Sequence, residues 1–396
     1  MLFPPVLIFL GVANTIYAYL NFQLLKGLGR LTSDRPIPPS RSPSVTILIA
    51  ARNEESRIRK CLECLMVQDY DPQKLQIIVV DDRSEDGTAA ILQEYAAKRL
   101  HGFDPISLSE TALGFSPKKY ALSQGLLKAT GEIIVTTDAD CIMSPAWVSS
   151  LVAEFSEDTG LVLGMTSYYP MGKEDLAWGV QALEFLSYGV VAAALVGLRF
   201  PVHGNANNIA YRRKVYDQAS GFASHESIVS GDDDFLIQSI HKLGQWRIRY
   251  SVQPESQVRT EPPLSMGQFW EQRKRWASKC SLYAPKQVAF LGGIFGYYAL
   301  IPICLLAGTV HRGFLAAGVA SWCVKTGTDW LVMRRGTRVF SKRPLMRWFI
   351  PTSLLHIPLI IAAVVRGSFG EFTWKGQKHR RKMQPSGSTG TKAPVV

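Results

Sequence analysis

Apolar positions in the middle of the chain come as short, continuous, β-branched runs separated by longer stretches with helical spacing. Residues 45–50 (VTILIA), 75–80 (LQIIVV) and 133–137 (IIVTT) are runs of the first kind. Runs this short and this rich in β-branched, mostly apolar residues read as strands buried on both faces. Residues 54–68, 88–100, 118–129 and 146–155 repeat their apolar side chains three and four apart, which predicts helices with one buried face. A weak strand near 106–108 and a further one over 161–166 continue the alternation. Strand–helix alternation of this kind predicts an α/β domain with a mostly parallel sheet and helices on both faces. Beyond residue 170 the pattern loosens. Residues 175–198 form an apolar helical stretch containing Glu184, read as an acceptor-side or membrane-facing helix, and 203–208 a loop rich in Gly and Asn.

The two ends of the chain are apolar in a different way. Residues 2–24 carry no charge, over roughly the 20 residues needed to cross a bilayer. No basic stretch and small-residue cleavage site mark them as a removable signal, so an N-terminal anchor is expected. Residues 25–43 are basic and Pro/Ser-rich and read as a linker. Three more candidate spans follow: 287–310 with Pro302 inside, 313–333 with Lys325 and Asp329 inside, and 348–365 with Pro351 and Pro358. Lys325 and Asp329 are four apart and can pair on one helix face. The expected organisation is an anchor at 1–24, a linker at 25–43, a catalytic-type domain at 44–260, an interfacial amphipathic segment at 261–286, two to three membrane helices over 287–370, and a basic, then low-complexity tail at 371–396.

Net charge is +12, from 44 Lys and Arg against 32 Asp and Glu. The excess sits beside the apolar segments, at 334–343 and 375–382, which points to an anionic membrane surface and away from nucleic acid. Positive flanks mark the cytoplasmic side, so an integral, multi-pass protein of the inner (cytoplasmic) membrane is expected, its central domain facing the cytoplasm. The basic tail fits that orientation only if 348–365 is re-entrant or interfacial. Cys61 and Cys64 form a C-x-x-C, but no second pair or His stands at zinc spacing. They lie on a helical pattern, so they read as buried free thiols in a reducing compartment.

Three acidic clusters carry the chemistry. Asp81-Asp82 and Asp138-Ala139-Asp140 each end a buried strand run, and open α/β sheets bind ligands at the carboxyl ends of their strands. Two carboxylates at i and i+2 leaving a strand can both turn toward one hard cation, sharing it with substrate phosphates. Asp82 or Asp81 can accept hydrogen bonds from a base or ribose, and Lys118, opening the next helix, supplies positive charge for a diphosphate. The third cluster, Asp232-Asp233-Asp234, follows Gly231 and opens a helix. Three adjacent acids exceed what capping needs, and their repulsion raises at least one pKa, which suits a general base. The segment 269–276 is basic and aromatic. Its QRKRW run offers a cation for a leaving diphosphate and an indole for stacking.

Taken together, these residues resemble the inverting glycosyltransferases of family 2, which have the GT-A fold. The resemblance rests on ARNEE at 51–55, VDDRSEDGT at 80–88, KKYAL at 118–122, DAD at 138–140, GDD at 231–233 and QRKRW at 272–276, in that order. It implies that Arg52, Glu54, Asp81 or Asp82, Lys118, Asp138, Gln272, Arg275 and Trp276 hold a nucleotide-sugar donor, a UDP- or GDP-sugar. It also implies that Asp138 and Asp140 bind Mg²⁺ or Mn²⁺. Asp233 is implied as the base, although the extra acid leaves Asp232 and Asp234 open. Asn205 and Asn208, with Trp276, are implied near the sugar and acceptor. Cys141 has no implied role.

The resemblance covers enzymes that build polysaccharides and enzymes that glycosylate a lipid once. Few apolar spans and few polar residues within them are thin material for a polymer channel. Single transfer onto a membrane lipid is therefore expected, with a processive polysaccharide synthase as the alternative. A non-catalytic membrane scaffold would be expected to have lost acids that are all present here. A nucleotidyltransferase would want a Gly-rich first loop, and residues 45–56 hold no glycine.

Overall fold

The computed structural model describes residues 3–33, 41–98, 102–112, 114–228, 231–369, 371–374 and 377–379. The chain opens with α1 (Phe3–Ser33) and continues through β1 (Val45–Ala51), α2 (Ile58–Met66), β2 (Leu75–Asp82), α3 (Thr88–Ala97), β3 (Phe103–Leu108), α4 (Pro117–Lys128) and β4 (Ile133–Asp138). Then come β5 (Ile142–Met143), α5 (Trp147–Val152), β6 (Thr159–Leu163), β7 (Thr166–Tyr168), α6 (Leu176–Gly197), β8 (Ile209–Arg212), α7 (Arg213–Gln218), α8 (Asp232–Lys242), β9 (Arg247–Tyr250) and β10 (Val258–Thr260). Four helices follow, α9 (Met266–Lys279), α10 (Pro285–Ala307), α11 (Arg312–Val339) and α12 (Phe349–Phe369), and a short antiparallel pair, β11 (Phe372–Trp374) and β12 (Gln377–His379), comes after them.

Seven strands form one sheet in the order β3-β2-β1-β4-β8-β6-β9. β3, β2, β1 and β4 run parallel, and β8 alone runs against its neighbours. The registers Ala51↔Asp81 and Ala50↔Asp138 bring the first two acidic clusters to one level at the carboxyl edge. The β-branched runs are buried on both faces because each face has its own core. Leu48, Ile78, Val80 and Ile134 pack toward α4 and α6, whereas Ile47, Ile49, Val79 and Val135 pack toward α2 and α5. A second sheet, β5-β10-β7, stands beside the carboxyl edge of the first.

Two expectations for the flanking helices are corrected. α1 does not end at residue 24 but stays helical through the basic stretch to Ser33, because its last turns are docked on α6. A Cβ on Gly27 would stand 2.0 Å from the Ala194 carbonyl oxygen, and one on Gly197 would stand 2.1 Å from that of Gly27. Glycine at this crossing lets the two backbones touch. Residues 34–40 of the expected linker lie outside the described residues. α6, in turn, is not membrane-facing. It is long and apolar enough to cross a bilayer, yet 72% of its most apolar window is buried inside the protein, against 17% for α1 and 22% for α10.

α10 and α11 run as two long helices, with α11 packed against both α1 and α10. The Lys325–Asp329 pair forms at 2.8 Å, and Asp329 also accepts a bond from the Tyr17 hydroxyl at 2.7 Å. Lys325 is 1% exposed, so the pair closes the bundle on itself. α12 is apolar enough to span, but both its ends return to the catalytic domain. Trp348, just before it, would meet a Cβ on Gly179 of α6, and a Cβ on Gly367 would meet Ala277 of α9. Arg366 lies over the Trp270 ring at 4.4 Å. Most of the tail lies outside the described residues.

Candidate active site

A cavity of about 380 Å³ opens where β1, β2 and β4 end. Its lining includes Arg52, Glu54, Arg57, Asp82, Lys118, Asp138 and Asp140 from the strand ends and the helices after them, and Glu261, Gln268, Gln272 and Arg275 from the segment after β10 and from α9. Two tight turns aim the first set. Asn53 and Arg83 take left-handed backbone, with φ of 52° and 56°. The Asn53 side chain accepts from Glu85 N at 2.8 Å, the Thr88 hydroxyl from Glu54 N at 2.8 Å, and Glu55 from Gly87 N at 3.0 Å. Alternate residues of ARNEE therefore split their work: Asn53 and Glu55 lace the loops, while Arg52 and Glu54 face the cavity. Among the described residues the buried Arg52 Nε and Nη1 have no hydrogen-bond partner, leaving them ready for an anionic ligand.

Asp81 and Asp82, open alternatives in the sequence, are separated by the fold. Asp81 turns into the loop, where it accepts bonds from the Ser84 amide at 3.2 Å and from the Ser84 hydroxyl. Only Asp82 lines the cavity, held by Arg83 at 2.8 Å with Arg52 at 3.8 Å. Lys118 bridges two clusters, reaching Asp138 at 2.7 Å and Asp232 at 3.3 Å. Burial works against its charge, but the two carboxylates outweigh it and raise its pKa. Asp138 and Asp140 present hard oxygens to the same cavity. Among the described residues no three acids, imidazoles or thiols gather to hold an ion by themselves. The pair fits an ion that completes its shell with phosphate and water, as Mg²⁺ or Mn²⁺ does. Cys141, without a role in the sequence, is buried with its thiol donating to Asp140 at 3.5 Å. Burial, and then the Asp140 charge, keep that thiol protonated.

The third cluster starts α8, at Gly231 in the left-handed region (φ 83°). Its three acids have different surroundings. Burial opposes ionisation of Asp232, but Lys118 and Lys119 outweigh it and its pKa falls. Asp234 is also buried, and Lys279 at 2.7 Å, with the Tyr283 hydroxyl donating to it, pulls its pKa down. Asp233 has the weaker share of Lys279, at 3.5 Å, and accepts from Ala206 N at 3.2 Å. Burial, and next the Asp234 charge, push it up to about 6. One carboxyl of the three is therefore poised to take a proton near neutral pH.

α9 joins the cavity to this cluster. Gln268, Gln272, Arg275 and Lys279 recur at helical spacing on one face. The first three line the cavity and the fourth reaches Asp233 and Asp234. Arg273 points the other way, paired with Glu184 of α6 at 2.6 Å, both 3% exposed. Its guanidinium lies 4.5 Å from the Phe269 and Trp276 rings, so the basic face expected on the membrane surface is partly an internal clamp. Trp276 stacks on Phe185 at 5.9 Å and meets Tyr188 edge-on at 5.6 Å, beside the cavity instead of in it. Gln272 accepts from Tyr168 at 3.1 Å.

Asn208 is a correction. It is fully buried, gives both amide hydrogens to the Met165 and Ser256 carbonyls at 3.0 and 2.9 Å, and accepts from Trp147 Nε1 at 3.1 Å. With every polar atom engaged it pins β7 and β8 together and has nothing left for a sugar. Asn205 lies beside Ala206, next to Asp233. Sequence reasoning missed Lys279, Tyr283, Arg57 and Glu261. Only Lys279 had a signal, its place on the Gln272–Arg275 helix face.

Comparison with known proteins identifies the family. Residues 46–219 match Glycosyl transferase family 2, and residues 133–365 match Glycosyl transferase family group 2. The chain belongs to the family 2 glycosyltransferases. A beta-monoglucosyldiacylglycerol synthase of Synechocystis is 28% identical over 254 residues, covering 62% of this chain and 49% of that one. A poly-beta-1,6-N-acetyl-D-glucosamine synthase of Staphylococcus aureus is 24% identical over 285 residues, covering 70% and 64%. The chain thus spans less than two thirds of the curated relatives it matches. A mannosyltransferase from Pyrobaculum calidifontis, solved with GDP-Man and Mn²⁺, superposes with a TM-score of 0.57 at 19% identity, covering 92% of this chain and 98% of that one. That likeness establishes the GT-A fold.

Proposed function

We propose that this glycosyltransferase is membrane-bound and moves a sugar from a nucleoside-diphosphate donor to a hydroxyl or phosphate of a membrane lipid, inverting the anomeric centre. The observation that carries the reading is the bridge through Lys118, which sets the strand-end carboxylates beside the buried Asp233 cluster. Asp82 and Arg52 take the nucleoside side of the donor. Lys118 and Arg275, both lining the cavity, face its diphosphate. Asp138 and Asp140 would hold Mg²⁺ or Mn²⁺, an ion that neutralises charge on the leaving nucleoside diphosphate. Asp233 removes the acceptor proton as the acceptor oxygen attacks the anomeric carbon, and fixed cations stabilise the departing diphosphate.

The lipid acceptor is supported by the apolar helices and by the polar groups of the bundle. Tyr17, Tyr298, Lys325 and Asp329 bond to one another, so these polar groups are engaged within the bundle. The synthase relative makes diacylglycerol the first acceptor to test. Membranes carrying the chain are incubated with labelled UDP- and GDP-sugars and Mn²⁺, then extracted with organic solvent. Label in lipid that vanishes in Asp233→Asn supports the proposal. Label confined to insoluble polymer favours the processive reading instead.

A further inference from the structure

A second hollow, apart from the active site, is an open groove of about 240 Å³ between α1 and α10. Phe9, Val12 and Ile16 form one wall, and Phe290, Gly293 and Ile294 the other. Both helices are long and apolar enough to cross a membrane and are little buried by the rest of the protein. The groove is apolar throughout, because the two tyrosines at its floor turn their hydroxyls away. Tyr17 donates to Asp329 at 2.7 Å and Tyr297 to Asn14 at 2.8 Å.

A glycine, Gly293, lines this space. Gly27, Gly197, Gly318 and Gly336 are helical positions where an added Cβ would stand within 3.0 Å of another helix of the same chain. Those glycines serve internal packing. At Gly293, as at Gly11, Gly29, Gly292, Gly296 and Gly327, an added Cβ meets nothing within 4 Å; of these, Gly293 alone lines the groove, and no contact among the described residues requires glycine there. Glycine inside a helix is unfavourable relative to alanine, and an empty apolar slot wants an apolar filler. A hydrocarbon chain fits in size, since an α-helix about 10 Å across would need several times the volume over the same length.

The groove also leads to the right place. α10 begins at Pro285, two residues after Tyr283, whose hydroxyl donates to Asp234 in the base cluster. Phe290, at the groove's near end, lies about 7.5 Å further along the helix axis at 1.5 Å per residue. We propose that the α1–α10 groove binds a hydrocarbon chain of the lipid acceptor and so delivers its head group to Asp233. The inference rests on the lipid-acceptor reading above and adds the site that selects the lipid.

The test uses the full chain in lipid nanodiscs and a diacylglycerol with a diazirine in one palmitoyl chain. After irradiation, cross-linked peptides are mapped. Label should concentrate on residues 9–20 and 290–297 and fall at least fivefold when long-chain diacylglycerol competes, but not with phosphatidylcholine. Gly293→Trp should cut the labelling at least fivefold and raise KM for the lipid while leaving KM for the donor unchanged. Gly293→Ala, one methyl into open space, should give a smaller change in the same direction with the fold intact. Label spread evenly over the outward faces of α1, α10, α11 and α12, without competition, means bulk bilayer lipid only and overturns the proposal. Unchanged labelling in Gly293→Trp overturns it too. Cross-linking reads binding without turnover, so a groove that binds while no lipid is ever glycosylated would sink the proposed function and leave the site standing.

Discussion

The strand-end cavity and the start of α8 both gather acids, and they do so for different reasons. Asp82, Asp138 and Asp140 reach one cavity because parallel strands in register end at one level, so each acid's place follows from its distance along a strand. Asp232, Asp233 and Asp234 share one helix turn and have nearly identical local sequence. They differ because Lys118 arrives from α4, and Lys279 and Tyr283 from α9 and the turn after it. Backbone position assigns the roles in the first region, and imported cations assign them in the second.

The sharpest way to break this comparison is to remove the acids of α8 one at a time. Asp233→Asn should lower kcat for transfer by about 10²–10⁴-fold, the range for loss of a general base, with donor affinity by calorimetry unchanged. If Asp234→Asn is the inactive variant and Asp233→Asn is mild, the assignment fails. At the strand ends, Asp138→Asn should lower kcat/KM by roughly two orders of magnitude, since several kcal/mol of charge stabilisation is at stake. It should also weaken donor binding, and chelation should reproduce the loss until Mn²⁺ is returned.

Smaller effects separate neighbours. Asp82→Asn should raise KM for the donor about tenfold, the value of one charged hydrogen bond. Asp81→Asn, acting only on its loop, should lower thermal stability more than it raises KM. Equal donor effects would merge the two roles. Lys279 tests the imported charge. The base must be ionised to work, so the acid limb of kcat/KM should lie near pH 6. The Lys279 cation favours ionised Asp233, and Lys279→Met should therefore move that limb upward by about one unit. Lys279→Arg should restore it. A limb that stays in place removes Lys279 from the chemistry.

Much of this was legible in advance. β1, β2 and β4 fall where the β-branched runs stand, and the helices between them follow the apolar spacing to within a few residues at their ends. The pairing of Lys325 with Asp329 needed only helix geometry. What was illegible depended on partners distant in sequence. α1 stays helical past residue 24 because Gly27 rests on Ala194, and α6 reads as membrane-facing until the sheet, α1 and α12 are seen to cover it. Asn208 looks like a sugar ligand until Trp147, Met165 and Ser256 are seen to occupy it. Asp81 and Asp82 look alike until Ser84 captures one of them.

The sequence by itself determined the α/β order, the carboxylates at the strand ends and the family, because strand period and motif spacing are properties of short segments. Which acid in α8 carries the raised pKa, which of two adjacent aspartates faces the cavity, and where an apolar groove stays open between α1 and α10 were decided only by tertiary structure. Burial and charge–charge interaction depend on distances through space, and those are set by helices that lie far apart along the chain.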